Sequence, residues 1–388
     1  MVLPMYAIPF NRPHLTGREL NYIEEAVANL HLSGNGPFTK RCDAWICERT
    51  GAGAALLTHS ATAALEMAVA LIDLGPGDEV IMPSFTFVST ANAVVLRGGV
   101  PVFVDVRENT LNLDETLVEA ALTARTKAIM PVHYAGVGCE LEVLVELAGR
   151  HGLAVIEDAA QGIMASWNGR ALGSFGALGA LSFHETKNVM CGEGGALLVN
   201  DPALIERAEI VLEKGTDRSR FLRGEIDKYS WVDIGSSYLP SEINAAFLWA
   251  QLEHADEITA ERLRIWDAYH EAFAPLEDAG LLRRPIVPEA ATHNAHMYYV
   301  LLPDLAARTA FIAKLAAEGV HGVFHYVPLH ASPAGGRFSR AGSALGRTEE
   351  LSERLVRLPL WVGMGEREIE WVVDAVFAAL PVRPLDVR

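Results

Sequence analysis

The 388-residue sequence predicts an α/β chain: a sheet of parallel strands with helices on both sides, followed by a smaller C-terminal α+β domain. Two observations carry that expectation. Short continuous apolar runs alternate with helix-like stretches through the first half, which is the pattern of strands buried on both faces under crossover helices. Past about residue 250 the alternation stops, and a long amphipathic segment leads into a shorter mixture of strand and helix signals.

The apolar runs are Glu79–Phe85, Val100–Val106, Lys127–His133, Leu153–Ala160, Leu178–His184 and Gly195–Asn200. Ser241–Phe273 follows Pro240, opens on a residue suited to capping, and carries Leu248, Leu252, Ala255, Leu263, Trp266, Tyr269 and Phe273 mostly three or four apart, so it predicts one long helix. Beyond Pro285 the sequence predicts a strand at Met297–Leu302, a helix at Leu305–Glu318 and a strand near Gly322–Val327. A loop over Pro333–Arg347 and helices at Glu349–Val356 and Glu366–Leu380 follow. The expected division is residues 1–250 as the large α/β domain and 251–388 as linker helix and small domain.

Half of the residues are hydrophobic and 21% are charged, the balance of an ordered globular chain. With 32 basic against 49 acidic residues the formal net charge is -17, a surface that repels phosphate backbones and anionic lipid; neither nucleic acid nor membrane is an expected partner. Cys42, Cys47, Cys139 and Cys191 form no CxxC pair and have no histidine-rich company, so reduced thiols and no metal are expected. The opening MVLPMYAIPFNRP lacks the basic and apolar regions of a signal peptide, and a cytoplasmic location is expected.

Chemistry concentrates between Ile156 and Gly195. IEDAAQ (Ile156–Gln161) closes one predicted strand and SFHETKN (Ser182–Asn188) another, with CGEGG (Cys191–Gly195) directly after. Ligands of such sheets bind at the carboxyl ends of strands, so Asp158, Gln161, Ser182 and Lys187 are expected in one crevice. Lysine is scarce here, six in the whole chain, and one placed with a carboxylate suits pyridoxal phosphate. That cofactor needs an amine to bond its aldehyde carbon and an anion to keep its pyridine nitrogen protonated. Thr58–Glu66 (THSATAALE) sets Ser60 and Thr62 at the start of an alanine-rich helix, whose free N–H groups and dipole favour a phosphate, and Phe87 in SFTFVST is a candidate to stack on the ring. Singly, each has a plain structural alternative: a capping aspartate, a solvated loop lysine, an N-cap serine, a core phenylalanine. Gly51-Ala-Gly53 lacks the third glycine of a dinucleotide loop and follows no recognisable strand. The order and spacing of the set within one chain set it apart.

SATAALE, PSFTFVSTANAV, VFVDV, PVHYAG, IEDAAQG, SFHETKN with GEGG, and HYVPLH together resemble the pyridoxal-phosphate-dependent sugar aminotransferases of the DegT/DnrJ/EryC1/StrS family over nearly the whole chain. The resemblance implies a fold-type I enzyme with a mixed, mostly parallel sheet, working as a homodimer with shared active sites. It makes Lys187 the Schiff-base lysine, Asp158 the partner of the pyridine nitrogen and Gln161 a neighbour of the ring hydroxyl. Ser182 joins Ala61 and Thr62 at the phosphate, and Phe87 takes the stacking position. VPVFVDVRENTLNLDETLVEAAL and KYSWVDIGSSYLPSEINAAFLWAQLE are most similar to members that aminate the 4-keto carbon of dTDP-4-keto-6-deoxyglucose, which implies that nucleotide sugar and L-glutamate as substrates. Amination at C3 of a related keto sugar, and a non-catalytic nucleotide-sugar-binding relative, are the alternatives. A sugar dehydratase of the family carries histidine where this chain has Lys187, which speaks against that activity.

His184 stands where many relatives carry tyrosine and Glu193 where many carry aspartate. With His325, Tyr326 and His330 of HYVPLH they are the expected contacts to the nucleotide sugar. Many relatives read Gly-Tyr-Asn-Tyr before the linker helix, whereas this chain reads Gly235-Ser236-Ser237-Tyr238; Ser237 is expected to reach across the dimer to the cofactor phosphate.

Overall fold

The structure, a computed structural model, describes residues 6–381. Its strands in chain order are β1 (Ala54–Thr58), β2 (Glu79–Pro83), β3 (Val100–Val104), β4 (Thr126–Ile129), β5 (Ala154–Asp158), β6 (Ser166–Trp167), β7 (Arg170–Ala171), β8 (Leu178–Ser182), β9 (Gly195–Val199), β10 (Ala291–Thr292), β11 (Tyr298–Leu301), β12 (Arg340–Ala341) and β13 (Leu355–Leu358). Eight of them make one sheet in the order β1-β9-β8-β5-β4-β2-β3-β12. From β8 to β12 every pairing is parallel, whereas β9 runs antiparallel to both β8 and β1. The sheet is thus mixed and mostly parallel, as the resemblance implies; β9 is reversed because Phe183–Gly194 contains no helix, and a strand that returns without a crossover must reverse direction. β1, short and opening on two alanines, carries no strong strand signal; Gly51–Gly53 precedes it.

Alternate residues of the strands feed two apolar layers. Leu57, Ile81, Val104, Ile129, Val155 and Leu198 bury on one face; Val80, Met82, Phe103, Ala128, Ile156 and Leu197 bury on the other. A third core gathers Trp266, Tyr269, Tyr298, Phe311, Trp361 and Val372. Two segments lie across the expected division at residue 250. Ile8 belongs to the third core through its bridge to Val320, and β12 joins the central sheet, where Arg340 pairs with buried Glu79 at 2.6 Å.

The single helix expected over Ser241–Phe273 is two, Glu242–Leu252 and Ala255–Ala272. The first buries Leu248 and Leu252 against a sheet-side core and the second buries Ile265 and Tyr269 in the third, so the axis must turn between them. The strand expected near Gly322–Val327 shrinks to a bridge between Val323 and Arg357. The helix expected to end at Val356 spans Gly346–Arg354, because the apolar run after it is β13, paired with β11. A helix, Pro333–Phe338, occupies part of the expected loop; Ser332 Oγ caps it by accepting from the Gly335 N–H at 3.0 Å. Among the described residues no helix is long and apolar enough to cross a membrane, and all four cysteines are free.

The end of β5 is held by Glu157, which is fully buried. Its carboxylate accepts from the Gly173 N–H (2.8 Å), the Phe175 N–H (2.6 Å), the Gly176 N–H (2.7 Å) and His133 Nε2 (2.9 Å). Because His133 Nδ1 accepts from the Cys139 N–H at 3.3 Å, the ring proton sits on Nε2, where the carboxylate needs it. Glu157→Gln offers a single acceptor oxygen and turns N–H against N–H at the other. It should lower unfolding stability by about 3 kcal/mol, read as a fall in the urea midpoint at unchanged slope; an unchanged midpoint contradicts this account.

Candidate active site

The carboxyl ends of β8, β5 and β2, near the middle of the sheet with β4 between the last two, open into a cavity of 820 Å³. Side chains alternate along a strand, so Asp158 faces this cavity while Glu157 faces away from it. Asp158 is buried; its Oδ2 accepts from Thr90 Oγ1 at 2.7 Å and its Oδ1 from the Ala160 N–H at 3.1 Å. Thr90 in turn meets Thr86 Oγ1 at 2.8 Å. Gln161 is fixed by its Oε1, which accepts from the Ala135 N–H at 2.7 Å, leaving its amide nitrogen 3.4 Å from the Tyr326 hydroxyl.

Lys187 stands in the loop after β8, its N–H donating to the His184 carbonyl at 2.8 Å. Burial pushes its ammonium down to about 8, Asp158 opposing the shift and Arg357 adding to it. The amine is therefore half neutral at a pH where an ordinary lysine is a cation, as a nucleophile requires.

On the opposite wall the helix Ala61–Leu71 begins at Ser60, whose Oγ accepts from the Ala63 N–H at 3.1 Å. Thr62 Oγ1 lies 2.7 Å from Ser89 Oγ, and Ser182 lines the same end of the cavity. Gly195, at the start of β9, passes so close behind this turn that an added Cβ would fall 2.4 Å from the Ala61 nitrogen. The result is a pocket of hydroxyls at a helix N-terminus, suited to a phosphate. Phe87, 58% exposed, projects over the cavity with its ring centroid 6.4 Å from that of Tyr326.

His184 and Glu193 face each other across the mouth at 3.7 Å, and His325 and Tyr326 line the far wall. Burial drives the His325 and His296 rings well below the ordinary histidine range and lifts the Tyr326 phenol, so these three side chains are uncharged. His296 is held in one tautomer: Asn188 donates Nδ2 to the Asn294 carbonyl at 2.8 Å, so its Oδ1, 2.8 Å from His296 Nδ1, accepts the ring proton.

The structure thus brings Ser60, Ala61, Thr62, Phe87, Asp158, Gln161, Ser182, Lys187, His184, Glu193, His325 and Tyr326 to one cavity. Ser237 and His330 lie outside it. His330 Nδ1 meets Ser84 Oγ at 2.7 Å and its Nε2 meets Glu349 Oε1 at 3.1 Å, so both ring nitrogens have partners within this chain. Ser237 is exposed and bridges Glu213 through its backbone. Thr86, Ser89, Thr90, His296 and Arg357 went unrecognised in the sequence. The first three sit in the quoted SFTFVSTANAV, where the spacing of Thr86 and Thr90 is a helical signal; nothing local marks Arg357.

A model of the DegT/DnrJ/EryC1/StrS aminotransferase family matches residues 13–377. The aminotransferase TlmJ from Streptoalloteichus hindustanus is 32% identical, with a TM-score of 0.87 over 96% of this chain and 98% of that one. S. venezuelae DesV in complex with a ketimine intermediate is 30% identical, with a TM-score of 0.87 over 97% and 99%. A DegT DnrJ EryC1 StrS aminotransferase from Brucella abortus is also 30% identical, with a TM-score of 0.86 over 94% and 96%. On this geometry and these matches, the chain belongs to the DegT/DnrJ/EryC1/StrS family and is a pyridoxal-phosphate-dependent sugar aminotransferase of fold-type I.

Proposed function

We propose that this enzyme transfers the amino group of L-glutamate to the 4-keto carbon of dTDP-4-keto-6-deoxy-D-glucose, giving a dTDP-4-amino-4,6-dideoxyhexose and 2-oxoglutarate. The observation that carries the reading is the convergence of Lys187 and Asp158 on one cavity that continues outward to His184, Glu193, Phe324 and Val327. Its 820 Å³ lies high in the roughly 300–1,000 Å³ range of ligand pockets, room for a large substrate beside the cofactor. The choice of nucleotide sugar and of C4 rests on the long stretches around Val100–Leu122 and Lys228–Glu253.

Pyridoxal phosphate, when bound, supplies an aldehyde carbon that takes up the amino group and a ring that draws electrons from the reacting carbon. The chain's residues fit it. Asp158, oriented by Thr90 and the Ala160 N–H, holds the proton on the ring nitrogen. Gln161 would border the ring hydroxyl, Phe87 would cover a ring face, and Ser60, Ala61, Thr62 and Ser182 would take the phosphate at a turn that Gly195 leaves open. Lys187 Nζ would hold the aldehyde carbon of the bound cofactor at rest; once the donor's amine has displaced it, the freed amine would be the base that takes the proton from the donor's α carbon and the acid that delivers one to the sugar carbon. His184, Glu193, His325 and Tyr326 border the nucleotide sugar. Ser237, exposed on its own chain, reaches the phosphate site of the other subunit in a homodimer. Residues 1–250 form the cofactor-binding domain in this reading, and 251–388 the linker helix and the small domain that closes the substrate side.

Incubation with dTDP-4-keto-6-deoxyglucose and glutamate, followed by NMR of the product, tests the assignment: an amine on C4 is expected, and an amine on C3 or no amino sugar overturns it. Lys187→Ala should abolish turnover with the fold intact by circular dichroism. Asp158→Asn should slow both half-reactions by at least about a hundredfold; near-normal rates would make Asp158 a mere helix cap. Because burial pushes Lys187 down to about 8, uptake of the cofactor by the cofactor-free protein should rise with pH, with its midpoint near pH 8 and a plateau about one pH unit above. A rise continuing toward pH 10, followed by absorbance, would place an ordinary lysine there.

A further inference from the structure

We propose that Arg357 is the receptor for a carboxylate of the amino donor. The inference deepens the function proposed above and rests on its glutamate donor. Arg357 stands on β13, the small-domain strand that borders the cavity, and its guanidinium lies over the Phe10 ring at 4.6 Å from the centroid. That aromatic contact fixes the planar group without neutralising it. Its Nε is buried with no hydrogen-bond partner, and among the described residues Arg357 forms no ion pair. The residue is half-buried on the cavity wall; a guanidinium withdrawn from bulk water with no anion is costly, and its donors form a fork that matches a carboxylate.

The groups facing it supply no anion. Tyr134 and Tyr326 are buried phenols raised above the ordinary value, His325 and His296 are neutral rings, and Lys187 is a second positive centre. Asp158 also lines the cavity, but both its oxygens already accept hydrogen bonds and the ring nitrogen of a bound cofactor would claim it. Glu193 lies at the mouth, facing His184. The other arginine of the cavity, Arg262, spends Nε on the Ala295 carbonyl at 3.1 Å and Nη2 on the His296 carbonyl at 2.7 Å. Arg357 is thus a cavity cation still seeking an anion, and it is close enough to Lys187 to depress its ammonium.

Two anions enter such a site: the donor's carboxylates and the diphosphate of the nucleotide sugar. The donor's α-carboxylate is bonded to the very carbon whose proton Lys187 removes, whereas the whole hexose ring separates the diphosphate from the reacting keto carbon. Arg357 shares the cavity with Lys187 and with Tyr326, whose hydroxyl lies 3.4 Å from the Gln161 amide nitrogen, and this placement beside the reacting groups favours the donor.

The test uses the cofactor-loaded enzyme and its Arg357→Gln and Arg357→Lys variants, each checked for an intact cofactor absorbance band. Binding of glutarate, a dicarboxylate with no amine to react, is titrated by the perturbation of that band. The two half-reactions are then followed separately in single turnovers, glutamate against the aldehyde form and keto sugar against the amine form. Arg357→Gln should weaken glutarate binding and raise the glutamate concentration for half-maximal rate by about tenfold to a hundredfold, the range of a charge-assisted hydrogen bond. Arg357→Lys should recover part of that loss, and the keto-sugar leg should change less than about twofold in both. A loss confined to the keto-sugar leg would assign Arg357 to the diphosphate, and equal losses on both legs would make it a wall residue; either overturns the inference. If glutamate fails to convert the unmutated enzyme, the donor reading itself falls and takes the inference with it.

Discussion

The site depends on one alternation along β5. Two adjacent acids, Glu157 and Asp158, point to opposite faces of a strand in the middle of the sheet, and both are buried. Such a pair survives only if each carboxylate finds donors on its own side. Glu157 finds three backbone N–H groups and a histidine, which pin the turn at Gly173–Gly176 and the loop after β4 to the strand. Asp158 finds Thr90 and the Ala160 N–H. The structural acid fixes the strand end, and the strand end aims the functional acid.

Around this fixed anion the cavity keeps a low density of mobile charge. Burial holds His296 and His325 neutral and Tyr134 and Tyr326 protonated, so the charges of the cavity's interior are Asp158, the tunable amine of Lys187 and the guanidinium groups of Arg357 and Arg262. In a poorly solvated pocket each acts at longer range than at the surface. A small change in one position is therefore felt as a change in proton affinity at another.

What could be read from the sequence follows from which interactions are local. The strand runs announced themselves through continuous burial, and Asp158, Gln161, Ser182 and Lys187 through their places at strand ends. The direction of β9 was hidden because its signal lies in the missing crossover rather than in its own residues. The break at Glu253–His254 was hidden because both halves of the helix share one apolar period while serving different cores. The partners of His330 could not be read, because a histidine beside a binding segment looks the same whether its nitrogens face a ligand or, as here, Ser84 and Glu349. Arg357 comes from the small domain, far along the chain, and only the folded arrangement shows that nothing in the protein answers its charge.

Gly195 carries an implication for how such a pocket can change over evolutionary time. Its α carbon and the Ser60–Ala61 peptide occupy one another's clearance, since a methyl at 195 would meet the Ala61 nitrogen at 2.4 Å. The two segments are far apart in sequence and belong to different elements, yet neither can be remodelled alone. A lineage that widened the cradle for a bulkier anion would have to shift the strand first, and one that placed any side chain at 195 would lose the cradle before gaining anything. The turn and the strand are inherited as a single part.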